Sequence, residues 1–146
     1  MRRIAYVFLL AAVTVSAVSC DKTSGRKQYD SPCADLTVRG QICDISDGSA
    51  VGSVTVTIAH KTAGATEYSY SEADVVTATS SGVFEKTYTE YYPYYTDLEV
   101  TVTDPSGGYV SKKTYYNNLI YTDGYDLYHG TCTADFGIIK LRKNNK

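Results

Sequence analysis

Val54-Thr55-Val56-Thr57-Ile58 alternates β-branched apolar residues with threonine hydroxyls, a period of two that is typical of a strand with one buried face. Leu98-Glu99-Val100-Thr101-Val102-Thr103 repeats this pattern, and the stretch from Leu36 to Ile42 follows it more loosely. Further extended segments are predicted at 75–78, 83–89, 109–115 and 134–141. Apolar spacing of three and four never persists long enough for a helix. We therefore predict an all-β fold, a single immunoglobulin-like or transthyretin-like β-sandwich of about seven strands.

The segments between the strands carry turn signals. Asp47-Gly48-Ser49 separates the strands at 36–42 and 54–58, so we expect these two to form a hairpin or to be neighbours in the sandwich. Pro93 lacks an N–H, which excludes residues 91–95 from a regular central strand. Residues 121–130 are polar and aromatic, and we expect them to form a long connection.

The N-terminal segment has the features of an export signal. Arg2 and Arg3 precede an uncharged run over residues 4–18, which is too short for a spanning helix of ~20 residues. Ala17-Val18-Ser19-Cys20 then offers small side chains to a signal peptidase and a thiol that can take a diacylglyceryl group. Ordinary cleavage with an incidental Cys20 is the alternative. The polar residues 21–24 that follow Cys20 favour lipidation, because they suit a tether.

These features predict a domain organisation and a location. Residues 1–19 form a lipoprotein signal peptide, 20–33 a polar linker, 34–142 the β-sandwich domain and 143–146 a basic, solvated tail. We expect the chain to lie in the cell envelope, anchored to the membrane by lipid on Cys20, at the outer membrane or surface of a Gram-negative bacterium. The formal net charge of −2 argues against a nucleic-acid partner, which requires a basic face.

The cysteines of the domain leave two arrangements open. Cys33, Cys43 and Cys132 could form one disulfide and a free thiol, or remain three reduced thiols. A metal site would have to recruit His129 and Cys132 with distant partners, and the spacing does not favour it. We expect no metal and no cofactor.

The residues that acid–base catalysis would need carry no recognisable motif. His60 and His129 are the two histidines, and we interpret both as exposed loop residues. Asp47-Gly48 and Asp123-Gly124 lack the alternating oxygen ligands of a calcium loop and are interpreted as turns. The expectation from sequence is that the chain is not an enzyme.

The tyrosines are the better candidates for a functional surface. The chain has 15 tyrosines and 3 phenylalanines, and Tyr91, Tyr92, Tyr94 and Tyr95 flank Pro93. Flat aromatic rings stack on sugars and anchor protein interfaces at low entropic cost. These four residues are therefore a candidate binding platform for a glycan or a protein partner. The alternative is that their rings cover a sheet edge or fill the end of a small core.

Two stretches resemble a known domain type. Leu36 to Ile42, through Gly48 to Val54-Thr55-Val56, is similar to the opening of carboxypeptidase-regulatory-like domains, with Ala50-Val51-Gly52 where those domains have a proline. Asp135-Phe136-Gly137-Ile138-Ile139-Lys140-Leu141 resembles their last strand. The resemblance implies a transthyretin-like sandwich.

A narrower resemblance covers most of the chain. Tyr29-Asp30-Ser31-Pro32-Cys33-Ala34-Asp35 and Asp104-Pro105-Ser106-Gly107-Gly108-Tyr109 are similar to segments of Bacteroidetes lipoproteins associated with a radical SAM protein. The resemblance implies an exported lipoprotein and supplies no established activity and no catalytic residues. We expect an accessory or binding module. The alternative is a maturation substrate or component of a radical SAM system, with the radical SAM protein as partner and Cys33, Cys43 and Cys132 as positions for modification.

Overall fold

A computed structural model describes residues 27–92 and 94–145. This part of the chain is almost entirely extended, with a single 3-10 turn at Glu72–Asp74, which confirms the all-β prediction. The strands number eight rather than about seven. They are β1 (Cys33–Asp44), β2 (Thr55–Thr62), β3 (Val75–Thr77), β4 (Val83–Tyr91), β5 (Tyr95–Thr103), β6 (Lys112–Tyr116), β7 (Thr122–Tyr125) and β8 (Tyr128–Leu141).

The strands form the predicted β-sandwich. Sheet A has the order β4-β1-β8-β7 and sheet B the order β3-β2-β5-β6. The apolar positions of the alternating stretches face each other between the sheets, where they exclude water and supply the hydrophobic stabilisation of the fold. The fully buried residues of this core include Val38, Ile42, Val56, Ile58, Leu98, Val100 and Val102.

The centre of sheet A is a parallel pair formed by the first and last strands. β1 runs parallel to β8 from Cys33, opposite Tyr128, to Asp44, opposite Leu141. The expected hairpin between the first two strands is wrong, because β1 and β2 lie in different sheets. Residues 45–54 carry the chain from one sheet to the other, and Val51 and Val54 are buried along the way.

The expected long connection over residues 121–130 is also wrong. It contains β7, which pairs with the beginning of β8, so that Thr122 lies opposite Thr131 and Tyr125 opposite Tyr128. Gly130 makes this pairing feasible: its φ is +101°, and a Cβ there would lie 1.9 Å from the carbonyl oxygen of Thr122.

The two ends of the domain reach beyond their expected boundaries. On the linker side, Lys27 forms an ion pair with Glu90, and the Tyr29 ring stacks on Tyr128 at 5.3 Å. On the other side, Lys143 is not part of a free tail: its Nζ lies 3.0 Å from Oδ2 of Asp44, whose side chain is fully buried. A buried carboxylate needs such partners, and Lys143 pairs with it from about a hundred residues away in sequence.

Within residues 27–92 and 94–145, none of the helical structure is long and apolar enough to cross a membrane.

Candidate functional site

The tyrosine run lies where the chain passes from sheet A to sheet B. β4 ends at Tyr91 and β5 begins at Tyr95. Tyr92 is 60% exposed and Tyr94 half-buried, whereas Tyr91 packs against the core and Tyr95 is only 2% exposed. The four residues therefore do not form one platform. Tyr91 and Tyr95 fill the end of the core, which was the alternative considered from sequence.

Two β-bulges explain why the run turns inward. In β5, Asp97 pairs with Lys61 but Tyr95 pairs with Thr62, which leaves Thr96 as an extra residue. In a regular strand, residues three apart face opposite sides of the sheet. The extra residue reverses this alternation, so Tyr95 and Leu98 both point into the core. In β4, Tyr88 and Tyr91 pair with Leu36 and Ala34, again with one residue too many.

The bulge in β4 is held open by Glu90. Its φ is +51°, a conformation that non-glycine residues adopt only when surrounding contacts impose it. The backbone N–H of Glu90 donates a 2.6 Å hydrogen bond to Oδ1 of Asp35, and its carboxylate pairs with Lys27. The segment that leads into β1 thus helps to set the direction of the tyrosines at the end of β4.

We call the side chains around Tyr95 the inner cluster: His60, Asp74, Tyr88, Tyr91 and Tyr95. The His60 ring stacks on Tyr95 with centroids 3.6 Å apart, Tyr91 lies at 4.4 Å, and Tyr88 meets Tyr95 edge-on at 5.3 Å. Aromatic pairs in these arrangements add about 0.5–1.5 kcal/mol each beyond area burial. The Oη of Tyr95 is buried and has no hydrogen-bond partner among the described residues.

Asp74 joins the inner cluster to the 3-10 turn. The Tyr88 hydroxyl donates to its Oδ1 at 2.8 Å, and the Ser71 N–H and hydroxyl donate to its Oδ2 at 2.7 and 2.8 Å. Burial opposes ionisation of Asp74, but the hydrogen bonds from Ser71 and Tyr88 and the nearby His60 together outweigh it and lower its pKa from the ordinary value. The carboxylate is therefore ionised at neutral pH, and both of its oxygens are already hydrogen-bonded.

His60 is not the exposed loop residue that the sequence suggested. It belongs to β2, its side chain is 13% exposed, and its Nε2 lies 3.6 Å from Oδ2 of Asp74, beyond hydrogen-bond distance. Burial lowers the pKa of His60 more than the nearby carboxylate raises it, so the imidazole is neutral at pH 7. Val56, Ile58 and His60 are each two residues apart, so the sequence pattern alone puts His60 on the inward face of β2.

His129 and Tyr94 form a second aromatic contact, outside the core. Their rings lie 4.3 Å apart, and Tyr94 also meets Tyr121 edge-on at 5.5 Å. Tyr121 donates a 2.7 Å hydrogen bond to the carbonyl oxygen of Tyr95. His129 is exposed, as expected, but it belongs to β8 and not to a loop.

The cysteines give no reactive site in the described part of the chain. Cys33 and Cys43 are buried, Cys132 is half-buried, and none of the three is in a disulfide. Burial raises the pKa values of Cys33 and Cys132, which keeps these thiols protonated and weakly nucleophilic. Cys20, the predicted lipid-attachment residue, lies outside the described residues. No group of three metal-binding side chains was found in residues 27–92 and 94–145.

The outer faces of both sheets carry open grooves. On sheet A a groove of about 400 Å³ runs past the Arg39–Asp135 ion pair, whose N–O distance is 2.9 Å, and the exposed Ile138. On sheet B a groove of about 310 Å³ is lined by threonines, Tyr70 and the Glu99–Lys113 pair. The sequence showed the hydroxyl-bearing outward face of β2, but not that Tyr70 lies beside it.

Comparison with known proteins gives no family. No protein-family model matches the chain, and neither does any curated protein. Solved structures with a similar arrangement include 3-chlorocatechol 1,2-dioxygenase from Rhodococcus opacus 1CP, with 15% identity over 80% of this chain and 63% of that one and a TM-score of 0.47. A 9R-lipoxygenase from Cyanothece PCC8801 matches with 19% identity over 79% of this chain and 18% of that one, with a TM-score of 0.41.

These matches correct one expectation. Both of these solved structures are enzymes, so the expectation that this chain is not an enzyme is withdrawn. With identities below 20% and TM-scores below 0.5, the likenesses assign no activity to this chain either. The chain spans less than two thirds of the length of either solved protein.

Proposed function

We propose that this protein is a lipid-anchored component of the bacterial cell envelope whose β-sandwich is a binding module for a glycan or a protein partner. The anchoring rests on three features of the N-terminal segment: the uncharged run over residues 4–18, the small residues Ala17-Val18-Ser19 directly before Cys20, and the polar linker after it. Acyl chains on Cys20 bury methylenes at ~0.8 kcal/mol each, so a multiply acylated chain stays on the membrane.

The geometry at the linker end supports a short tether. The chain is already in contact with the domain at Lys27 and Tyr29, through Glu90 and Tyr128. The seven-residue step from Cys20 to Lys27 spans at most ~25 Å when fully extended. An anchored sandwich would work within that distance of a bilayer, with the outer face of sheet B available to a partner.

The alternative function rests on the resemblance to radical SAM-associated lipoproteins. In that role the protein is a maturation substrate or a component of the system. Cys33 is 3% exposed and Cys43 7% exposed, so an enzyme that modifies either thiol has to act before the sandwich folds. We rank this second because the folded domain offers a modifying enzyme only the half-buried Cys132.

Metabolic labelling with an alkyne fatty acid in a Bacteroidetes host tests the anchoring. We expect label in the wild-type chain and in Cys132→Ala, a matched cysteine variant, and none in Cys20→Ala. The wild type and Cys132→Ala should sediment with membranes, whereas Cys20→Ala should lose its membrane association. Label that is absent from the wild type, or that persists in Cys20→Ala, refutes the proposal.

A further inference from the structure

The outward face of sheet B is a regular array of hydroxyl groups, which we call the threonine face. Thr55 pairs with Thr103 and Thr57 with Thr101, and these two rows belong to the face turned away from the core. Residues two apart on a strand share a face, and their rows are about 7 Å apart. Thr57, Thr101 and Thr103 line the groove of about 310 Å³.

An aromatic ring borders the same groove. Ser69 forms an isolated bridge with His60, so the next residue, Tyr70, lies beside Ala59 on the outward side. Tyr70 is 63% exposed, whereas Ala59 is 5% exposed and forms part of the floor. On the far side of the row, Tyr115 pairs with Glu99 and is 52% exposed. Tyr70 thus stands at one edge of a floor of small and hydroxyl-bearing side chains, and Tyr115 lies outside the groove, next to Glu99 on the neighbouring strand.

The charges in the groove cancel. Among the described residues, Glu99 and Lys113 are the only charged ones that line it, and they form an ion pair with an N–O distance of 2.9 Å. The Glu99 side chain is 13% exposed and that of Lys113 57%. The hydrogen bond from Lys113 holds the pKa of Glu99 below its usual value, so this carboxylate is ionised at neutral pH. The site therefore presents strong acceptors and donors without net charge.

We propose that the threonine face binds a neutral oligosaccharide strand. A sugar has an apolar C–H face that stacks on an aromatic ring and an equatorial rim of hydroxyls that exchange hydrogen bonds with threonines, a carboxylate and an ammonium group. A nucleic acid or an acidic glycan would need net positive charge. An apolar peptide would leave the hydroxyls and the Glu99–Lys113 pair desolvated without partners.

The dimensions fit a short stretch of a polysaccharide. Three rows of the sheet, from Thr55 to Ala59, cover about 14 Å along β2. That is about the length of three pyranose units. The inference deepens the proposed binding function and rests on it for the role of the ligand, but it does not depend on lipid at Cys20.

The test is a titration of the mature protein, extracted in detergent, with cellohexaose, mannohexaose and maltohexaose. We expect one of them to bind and to show saturation-transfer signals and upfield ring-current shifts of its C–H protons. Tyr70→Ala should weaken this binding about tenfold and remove the ring-current shift, and Thr101→Val should weaken it about threefold. Tyr92→Ala is the matched control, because Tyr92 belongs to the tyrosine run at 91–95 and is about as exposed as Tyr70. This variant should bind as the wild type does.

Three outcomes overturn the inference. The first is that none of the three oligosaccharides binds. The second is that Tyr92→Ala loses binding and Tyr70→Ala keeps it, which would move the ligand to the tyrosine run. The third is tighter binding of oligogalacturonate, an acidic chain, than of any neutral one. The fatty-acid labelling decides independently whether the protein is anchored, so failure of the ligand assignment and failure of the anchoring are distinguishable.

Discussion

At the scale of single residues, the tyrosine run shows that neighbouring residues of one type can differ widely in burial. Tyr91 and Tyr92 are neighbours with the same side chain, yet one packs against the core and the other is 60% exposed. A tyrosine ring is apolar with a polar tip, which suits half-buried positions, and many of the described tyrosines occupy such positions. Which tyrosine turns inward depends on a β-bulge, one extra residue, in each of β4 and β5. No local sequence pattern predicts such a bulge.

The inner cluster yields a paired prediction, because two buried hydroxyls of the same type differ in their partners. The Tyr95 Oη has none in residues 27–92 and 94–145, whereas the Tyr88 Oη donates to Asp74 at 2.8 Å. An unpaired buried polar group costs about 1–3 kcal/mol. Tyr95→Phe should therefore leave the free energy of unfolding unchanged or raise it by up to ~2 kcal/mol. Tyr88→Phe should lower it by about 1–3 kcal/mol, since Asp74 then loses a donor.

Urea denaturation followed by circular dichroism measures both variants on the same scale. Each substitution removes one oxygen atom and keeps the ring, so packing is matched. Equal losses of stability in the two variants would contradict the assignment of the unpaired hydroxyl to Tyr95.

At the scale of elements, the extended patterns of the sequence located every described strand except β7 and the beginning of β8. β1, β2 and β5 follow from their apolar positions, all of which are needed to build a core. β7 did not follow, because Thr122-Asp123-Gly124-Tyr125 contains residues that strands usually avoid and becomes a strand only by pairing with β8. The sheet assignment of β1 and β2 also lay beyond local sequence, since a turn signal does not say whether the next strand pairs or crosses over.

The candidate site was only half visible for the same reason. The outward hydroxyls of β2 and β5 can be predicted directly, because Thr57 and Thr101 alternate with apolar residues that face the core. Tyr70 belongs to an irregular segment, and only its bridge to β2 through Ser69 and His60 brings it to the groove. Such long-range placement of a loop is set by tertiary packing.

The turn before β4 provides a prediction about steric fit. Gly82 has φ +76°, and a Cβ there would lie 2.3 Å from the carbonyl oxygen of Ile42. Gly48 has nearly the same φ, +73°, but nothing within 4 Å of a Cβ. Gly48→Ala should cost about 1–2 kcal/mol for the left-handed backbone alone. Gly82→Ala should cost clearly more, because backbone atoms of β1 must move.

The midpoint of thermal unfolding compares the two alanine variants without further assumptions. We expect Gly82→Ala to melt at a lower temperature than Gly48→Ala, and both to melt below the wild type. If Gly48→Ala proved the less stable of the two, the close approach of the β4 turn to β1 would be wrong.

At the scale of the whole molecule, the proposed anchor and the proposed binding face belong to different sheets. The linker arrives at β1, in the middle of sheet A, and docks through Tyr29 on Tyr128. The threonine face belongs to sheet B, on the opposite side of the core. A tether on one sheet leaves the outer face of the other unobstructed, which is the geometry that a binding module at a membrane requires.

We propose that the working form of this protein begins at a lipidated Cys20. Intact mass spectrometry of the protein extracted from membranes tests this most directly. We predict the mass of residues 20–146 plus a diacylglyceryl group and an amide-linked acyl chain, with no addition elsewhere. A mass that retains residues 1–19, or one that equals an unmodified chain beginning at Cys20, would contradict the account.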